Sequence, residues 1–229
     1  MIGPSYLMDM RQILRNSMHG LVIALCVTVI SFTAQAANSI TLVVFGDSLS
    51  AGYGLEKAHA FPTRLGQALD AKGYDVNVVN AGVSGDTTAG GRSRLAWTLG
   101  EDVDAVILEL GANDALRGLG TEQAYRNLAA MLQVLADKNI PALLAGMRAP
   151  PNMGEDYGKA FDQVYQRLVA EFDVVFYPFF LEGVAANPAL NIEDGIHPNP
   201  AGVDVIVDRI LPDVETLLKK AGANVGGAS

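Results

Sequence analysis

Five short apolar runs punctuate the chain from residue 40 onward: Ile40–Phe45 (ITLVVF), Val76–Asn80 (VNVVN), Val103–Leu110 (VDAVILEL), Ala142–Met147 (ALLAGM) and Val174–Tyr177 (VVFY). Most are rich in Val, Ile and Leu with little polar alternation, the pattern of strands covered on both faces. Helical periodicity fills the gaps between them. It is clearest over Glu122–Lys138, where Ala124, Leu128, Met131, Leu132 and Leu135 recur at spacings of four, three, one and three. Thr121 is placed to cap that helix, and Asn139 followed by Pro141 to stop it. A last helix is expected from Pro200 with Asn199 as its cap. Pro212 should kink or break it, and the tail 221–229 (AGANVGGAS) should fray. Strand and helix in regular alternation, with no repeat and no interdomain linker, predict an α/β fold. The expected architecture is a three-layer α/β/α sandwich around a five-stranded parallel sheet.

The first 36 residues read differently. Arg11 and Arg15 face a single acid, Asp9, and are followed by Leu21–Phe32 (LVIALCVTVISF), which carries no charge. Ala34-Gln35-Ala36 then offers a small-x-small cleavage site. A basic stretch, a short apolar run and such a site together predict a secretory signal over 1–36, and hence a periplasmic or secreted protein. The apolar run is shorter than the roughly 20 residues of a membrane-spanning helix, so no stable membrane insertion is expected after cleavage. Cleavage removes Cys26, the only cysteine, so the exported chain can hold no disulfide and must rely on its core. One domain, residues 37–229, is expected, and a monomer. The 229-residue chain is 50% hydrophobic with a formal net charge of −9, which excludes disorder and, with no Lys/Arg block, sets nucleic acid aside as a partner.

Open parallel sheets gather function at the carboxyl ends of their strands. After the first strand comes Gly46-Asp47-Ser48-Leu49-Ser50, and after the second Asn80-Ala81-Gly82-Val83-Ser84-Gly85-Asp86-Thr87. The third is followed by Gly111-Ala112-Asn113-Asp114, and the fifth, beyond a loop, by Asp194-Gly195-Ile196-His197-Pro198. One sheet edge would thus carry a hydroxyl, amide donors, an imidazole and a carboxylate, the inventory for acyl transfer through a serine nucleophile.

GDSLS, NAGVSGDT, GAND and DGIHP resemble, in order, the four sequence blocks of the SGNH, or GDSL, hydrolases. The longer stretches VVFGDSLSAGYG, VVNAGVSGDTT, ILELGANDALRG, EFDVVFYPFF and DGIHPNPAG are similar to the branch holding periplasmic multifunctional acyl-CoA thioesterase I/lysophospholipase L1 and bacterial arylesterases. The resemblance runs from Leu42 to about Gly202 and implies the flavodoxin-like SGNH hydrolase fold. It also implies Ser48 as nucleophile, although a serine in a strand-to-helix turn is equally a common helix cap. Of the histidines beyond residue 36, His59 sits in a segment leading into a helix, where a surface role is expected. His197 sits in a Gly/Pro/Asn loop and matches the family's base. Asp194, three residues earlier, is placed to fix its tautomer. The resemblance assigns the oxyanion hole to the backbone N–H groups of Ser48 and Gly85 and the side-chain amide of Asn113. Asp47 and Asp114 are expected to be supporting or capping carboxylates, and Gly82 a plain turn glycine.

No G-x-S-x-G, phosphate-binding loop, dinucleotide fingerprint or H-E-x-x-H occurs, and neither metal nor other cofactor is expected. The expected partner is a small-molecule acyl ester or thioester. Ala115–Gly120 (ALRGLG) would suit an acyl chain, with Leu116, Leu119 and Arg117 as candidate substrate contacts, and 148–153 could line the same groove. The expected enzyme is therefore a carboxylic ester hydrolase of arylesterase, thioesterase or lysophospholipase type. The alternatives are a carbohydrate O-acetylesterase of the same superfamily and a non-catalytic envelope lipid-binding protein. The first lacks an aromatic sugar platform, since Trp97, the only tryptophan, falls in a helical stretch where core packing is expected. The second would have no need to keep Ser48, His197 and Asn113 together.

Overall fold

The computed structural model describes residues 39–100 and 102–223; the signal-like segment 1–36 lies outside them. All five expected strands form: β1 (Ile40–Gly46), β2 (Val76–Gly82), β3 (Ala105–Glu109), β4 (Ala142–Ala145) and β5 (Val175–Tyr177). They make one parallel sheet in the order β2-β1-β3-β4-β5. Every residue of β3 and β4 is buried, apolar but for Glu109 at the end of β3, whereas β2 lies at the edge with no fully buried residue. Helices α1 (Ser48–Ala51), α2 (Phe61–Ala71), α3 (Thr88–Thr98), α4 (Ala112–Leu116), α5 (Thr121–Asp137), α6 (Glu155–Glu171) and α7 (Pro200–Lys220) complete the described chain. α2 packs on α7, and α3, α5 and α6 pack in series, giving the two helical layers of the sandwich.

The apolar stripe on α5 is the expected one: Ala124, Leu128, Met131, Leu132 and Leu135 are all buried. Its cap is Gly120 rather than Thr121, because the Gly120 carbonyl accepts the first helical bond from Ala124 N–H. Asn199 caps α7 through Gly202 N–H, as expected. Pro212 does not break that helix. It is exposed one turn beyond Asp208, also exposed, so the carbonyl its missing N–H would have bonded faces water. The first part of the tail is tied rather than frayed. Gly222, at φ +85°, and Ala223 donate to Lys219 O and Leu218 O in a Schellman closure; 224–229 lie outside the described residues.

Trp97 is a correction: it is 79% exposed. The buried face of α3 is set by Thr88, Gly91 and Leu95. A residue two beyond Leu95 is turned by about 200° and points away from the sheet.

β1 is flanked by β2 on one side and β3 on the other, so the connections leaving β1 and β3 diverge. This is the switch point at which open α/β sheets open a crevice. Ser48 and Asn113 stand just beyond the ends of those two strands.

Candidate active site

The turn after β1 is built around a buried carboxylate. Asp47 caps α1 by accepting from Leu49 N–H at 3.0 Å, which leaves Ser48 as the first helical residue rather than its cap. Glycine makes the turn possible: a Cβ on Gly82, which pairs with Gly46 across the strands, would stand 2.3 Å from Ala51 N. Gly82 is therefore the surface on which α1 sits, not a plain turn residue.

The loop beyond β5 carries the imidazole. Ile192 N–H donates to His197 O at 2.8 Å, and Asn191 and Pro198 form a β-bridge, so the ends of the segment are held together. Gly195, at φ +71°, makes the reversal. Asp194 Oδ1 then accepts from Ile196 N–H and His197 N–H at 2.9 and 3.0 Å, while Oδ2 stands 2.5 Å from His197 Nδ1. Burial acts to raise the Asp194 pKa, but the His197 backbone and ring and the Ile196 N–H outweigh it and lower it to about 2. An ionised Asp194 accepts from Nδ1–H, which frees Nε2 to accept from Ser48 Oγ–H, 2.9 Å away. Tyr53, which the sequence did not single out, lies against the imidazole with ring centroids 4.6 Å apart.

Asn113 sits inside α4, capped by Gly111, so it is not a helix cap. Its Nδ2 donates to Asp47 Oδ2 at 3.1 Å. Gly85 takes φ +83°, which requires glycine, and a Cβ there would otherwise meet only Arg117 Nη2 at an ordinary 3.7 Å. Neither Ser48 N–H nor Gly85 N–H finds a protein acceptor among the described residues. Asp114 has the expected supporting part: it is buried and accepts from Thr88 N–H and Thr88 Oγ–H at the start of α3.

Beneath the turn lies a second carboxyl group. Glu109 is fully buried at the end of β3; its Oε2 accepts from Ser50 Oγ–H at 2.7 Å and Asp47 N–H at 3.3 Å, and its Oε1 has no partner. Burial first, and then the charge of Asp47, raise its pKa well above the ordinary value. Asp47 is itself pushed up to about 6, chiefly by burial, against the opposing bonds from Leu49 and Asn113. A lone acid in the apolar run VILEL was the available signal for Glu109. Arg94 also escaped notice. It pairs with Asp86 at 2.6 Å and donates to Ala81 O and Gly46 O, both at 2.9 Å, lacing the ends of β1 and β2 to the Gly85 loop.

Ser48, Gly85, Asn113 and His197 open together into a cleft of about 790 Å³. Its other walls are mostly apolar, among them Leu49, Leu116, Met147, Pro150, Met153, Phe179 and Leu181. All of 148–153 lines it, as expected, and so does Leu116; Leu119 and Arg117 do not. Trp97 is likewise not among the lining residues. His59 stands apart in a 3-10 turn before α2. Among the described residues no group of three or more His, Cys, Asp or Glu could hold a metal ion.

Residues 44–205 match the GDSL-like lipase/acylhydrolase family. The chain belongs to this family. It is 41% identical over 202 residues to "Esterase TesA" of Pseudomonas aeruginosa, covering 88% of this chain and all of that one. It is 39% identical over 187 residues to "Thioesterase 1/protease 1/lysophospholipase L1" of Escherichia coli K12, covering 81% of this chain and 88% of the relative. The crystal structure of AlinE4, described as an SGNH-hydrolase family esterase, superposes with a TM-score of 0.66 at 43% identity, over 79% of this chain and 97% of that one. By family this GDSL hydrolase is an enzyme of the ester-hydrolase class, and its sheet is that of the SGNH fold.

Proposed function

We propose that the protein is an exported serine hydrolase that cleaves carboxylic esters and thioesters of lipophilic acyl groups through an acyl-enzyme. The observation that carries this reading is the hydrogen-bond chain from Asp194 through His197 to Ser48, with His197 and Ser48 opening into an apolar cleft. Ser48 Oγ bonds to the substrate carbonyl carbon as its proton passes to His197 Nε2, and the carbonyl π pair moves onto oxygen. The oxyanion is met by Ser48 N–H, Gly85 N–H and the free hydrogen of Asn113 Nδ2, all without an internal acceptor competing for that proton. Collapse breaks the bond to the leaving oxygen or sulfur, which takes the proton from His197. Water then repeats the cycle on the acyl-enzyme and releases the acid. Asp194, ionised and doubly anchored by backbone N–H groups, stabilises the imidazolium at each half-reaction.

The apolar walls favour an acyl chain over a sugar, and similarity to thioesterase and esterase relatives supports the same substrate class. Residues 1–36 would direct the chain to the periplasm or medium. A panel of p-nitrophenyl esters from acetate to palmitate, run beside a lysophospholipid and an acyl-CoA, tests the substrate reading. Turnover should favour medium or long chains, and activity confined to acetylated sugars would replace this reading with the O-acetylesterase one. Amino-terminal sequencing of the exported chain should find the start near Ala37.

A further inference from the structure

We propose that Arg117 is a positioning residue that holds two of the three oxyanion donors in place, an inference that rests on the serine mechanism above. Arg117 closes α4 and lies outside the cleft, so it is not placed to touch substrate there. Its Nη2 instead donates to Gly85 O at 3.0 Å and lies 3.5 Å from Asn113 Oδ1. One guanidinium therefore reaches the loop after β2 and the amide after β3.

The consequence for Gly85 follows from the peptide that joins it to Asp86. The N–H of that peptide donates to Val83 O at 3.0 Å, and its carbonyl accepts from Arg117. A peptide pinned on both edges fixes ψ of Gly85, a residue whose φ of +83° lies where only glycine moves freely. The donor N–H lies on the preceding Ser84–Gly85 peptide, the central unit of the Val83–Asp86 turn, and it is tied to the anchored peptide through φ and ψ of Gly85, with no internal acceptor of its own. Without Arg117, only the Asp86 N–H bond to Val83 O anchors that peptide, and the turn carrying the donor gains freedom to change its aim.

The consequence for Asn113 concerns which end of the amide faces which neighbour. Ionised above its pKa of about 6, Asp47 can only accept, and Arg117 can only donate. The pair leaves one arrangement: nitrogen toward Asp47 and oxygen toward Arg117. That choice presents the second Nδ2 hydrogen for substrate. Removing Arg117 leaves the oxygen end of the amide without its partner, so Asp47 alone holds the side chain in that arrangement. Catalytic stabilisation by such donors depends on their being oriented before charge develops, so loss of aim is read in the chemical step.

Arg117→Ala should lower kcat for p-nitrophenyl butyrate by roughly tenfold, part of the 10²–10³ lost with a whole donor, with KM nearly unchanged. Phosphonylation of Ser48 by a p-nitrophenyl phosphonate, which also develops an oxyanion, should slow in parallel. Millimolar guanidinium chloride should restore part of the Arg117→Ala rate and leave the wild type alone, and Arg117→Lys should fall between the two. A merely structural arginine would lower the melting temperature and would not respond to added guanidinium. Three results overturn the proposal: a wild-type kcat in Arg117→Ala, a loss without guanidinium rescue, or a defect confined to KM for acyl-CoA and absent for neutral esters. Ser48→Ala run alongside separates the failures. Turnover surviving in Ser48→Ala removes the serine reading and this inference with it, whereas an inert Ser48→Ala beside an unaffected Arg117→Ala removes this inference alone.

Discussion

Glu109→Gln should gain stability relative to the wild type as pH rises above the ordinary carboxyl range, up to the raised pKa of Glu109. The side chain is fully buried at the end of β3, with Oε2 taking Ser50 Oγ–H and Asp47 N–H and Oε1 taking nothing. Burial, reinforced by the Asp47 charge, raises its folded pKa well above the ordinary 4.5. Above that ordinary value the unfolded chain has given up the proton and the folded one still holds it. The folded state then binds more protons, and stability is lost as pH rises until the folded pKa is reached. The slope over that window is about 1.4 kcal/mol per pH unit for one proton. Asp47 adds a second loss of the same sign between its unfolded value of 3.8 and about 6. That second loss comes to roughly 3 kcal/mol at most. Glutamine is neutral at every pH, nearly the same shape, and its amide oxygen can accept both existing donors. Urea unfolding of the two proteins at pH 5, 6, 7 and 8 is the assay. At pH 5 the midpoints should lie close together, and the variant should lead increasingly from pH 6 upward. A gap independent of pH, or a variant that falls behind as pH rises, would refute the argument that Glu109 is held as the neutral acid.

Three further outcomes are expected. Ser48→Ala should abolish ester hydrolysis and phosphonate labelling while leaving the circular dichroism and melting temperature nearly unchanged, because Asp47 and not Ser48 caps α1; retained turnover removes Ser48 from the mechanism. Asn113→Ala should cut kcat by about 10²–10³ with a much smaller change in KM; a KM effect with kcat intact would make it a binding residue. Leu116→Ala should lower the octanoate-to-acetate ratio of kcat/KM by about fourfold for one lost methylene contact of about 0.8 kcal/mol, while Leu119→Ala, outside the cleft, should leave the ratio alone. Equal losses on both esters would instead give Leu116 a packing role.

The sheet was legible because four of its five strands are mostly buried and write that burial as largely apolar runs. The edge strand β2 was found from Val76, Val78 and Val79 although none of it is fully buried. Strand ends and the α5 cap shifted by one or two residues, since hydrogen bonding rather than composition decides where an element stops. Trp97 shows the limit of counting apolar residues in a helix: its position two beyond Leu95 already placed it off the buried stripe. At the site, the residues with characteristic blocks around them were readable one by one. What joins them was not. Arg94 and Arg117 act on carbonyl oxygens 13 to 48 residues away, and no local pattern marks which carbonyls a guanidinium will find. Glu109 left a mark, a single acid in an apolar strand, but its meaning depends on Asp47 lying beside it in space.

The placement of these joints follows from topology. Chains leaving β1 and β3 part from each other, so the crevice between them has no backbone ladder to hold its two walls in register. Asp47 spans that gap by bonding Asn113 on the far wall, and Glu109 spans it in the opposite direction by bonding Ser50 and the Asp47 N–H. Each crossing bond needs an acceptor buried at the root of the crevice, where water would otherwise loosen it. A carboxyl oxygen supplies that acceptor at the cost of raised pKa values in both groups. The stability that Glu109→Gln should recover is thus a measure of what it costs to brace an open switch point with acids. If the variant also keeps the wild-type kcat, the brace works through shape and hydrogen bonding. If it gains stability and loses kcat, the carboxyl of Glu109 contributes to aligning Ser48 in a way its neutral amide cannot.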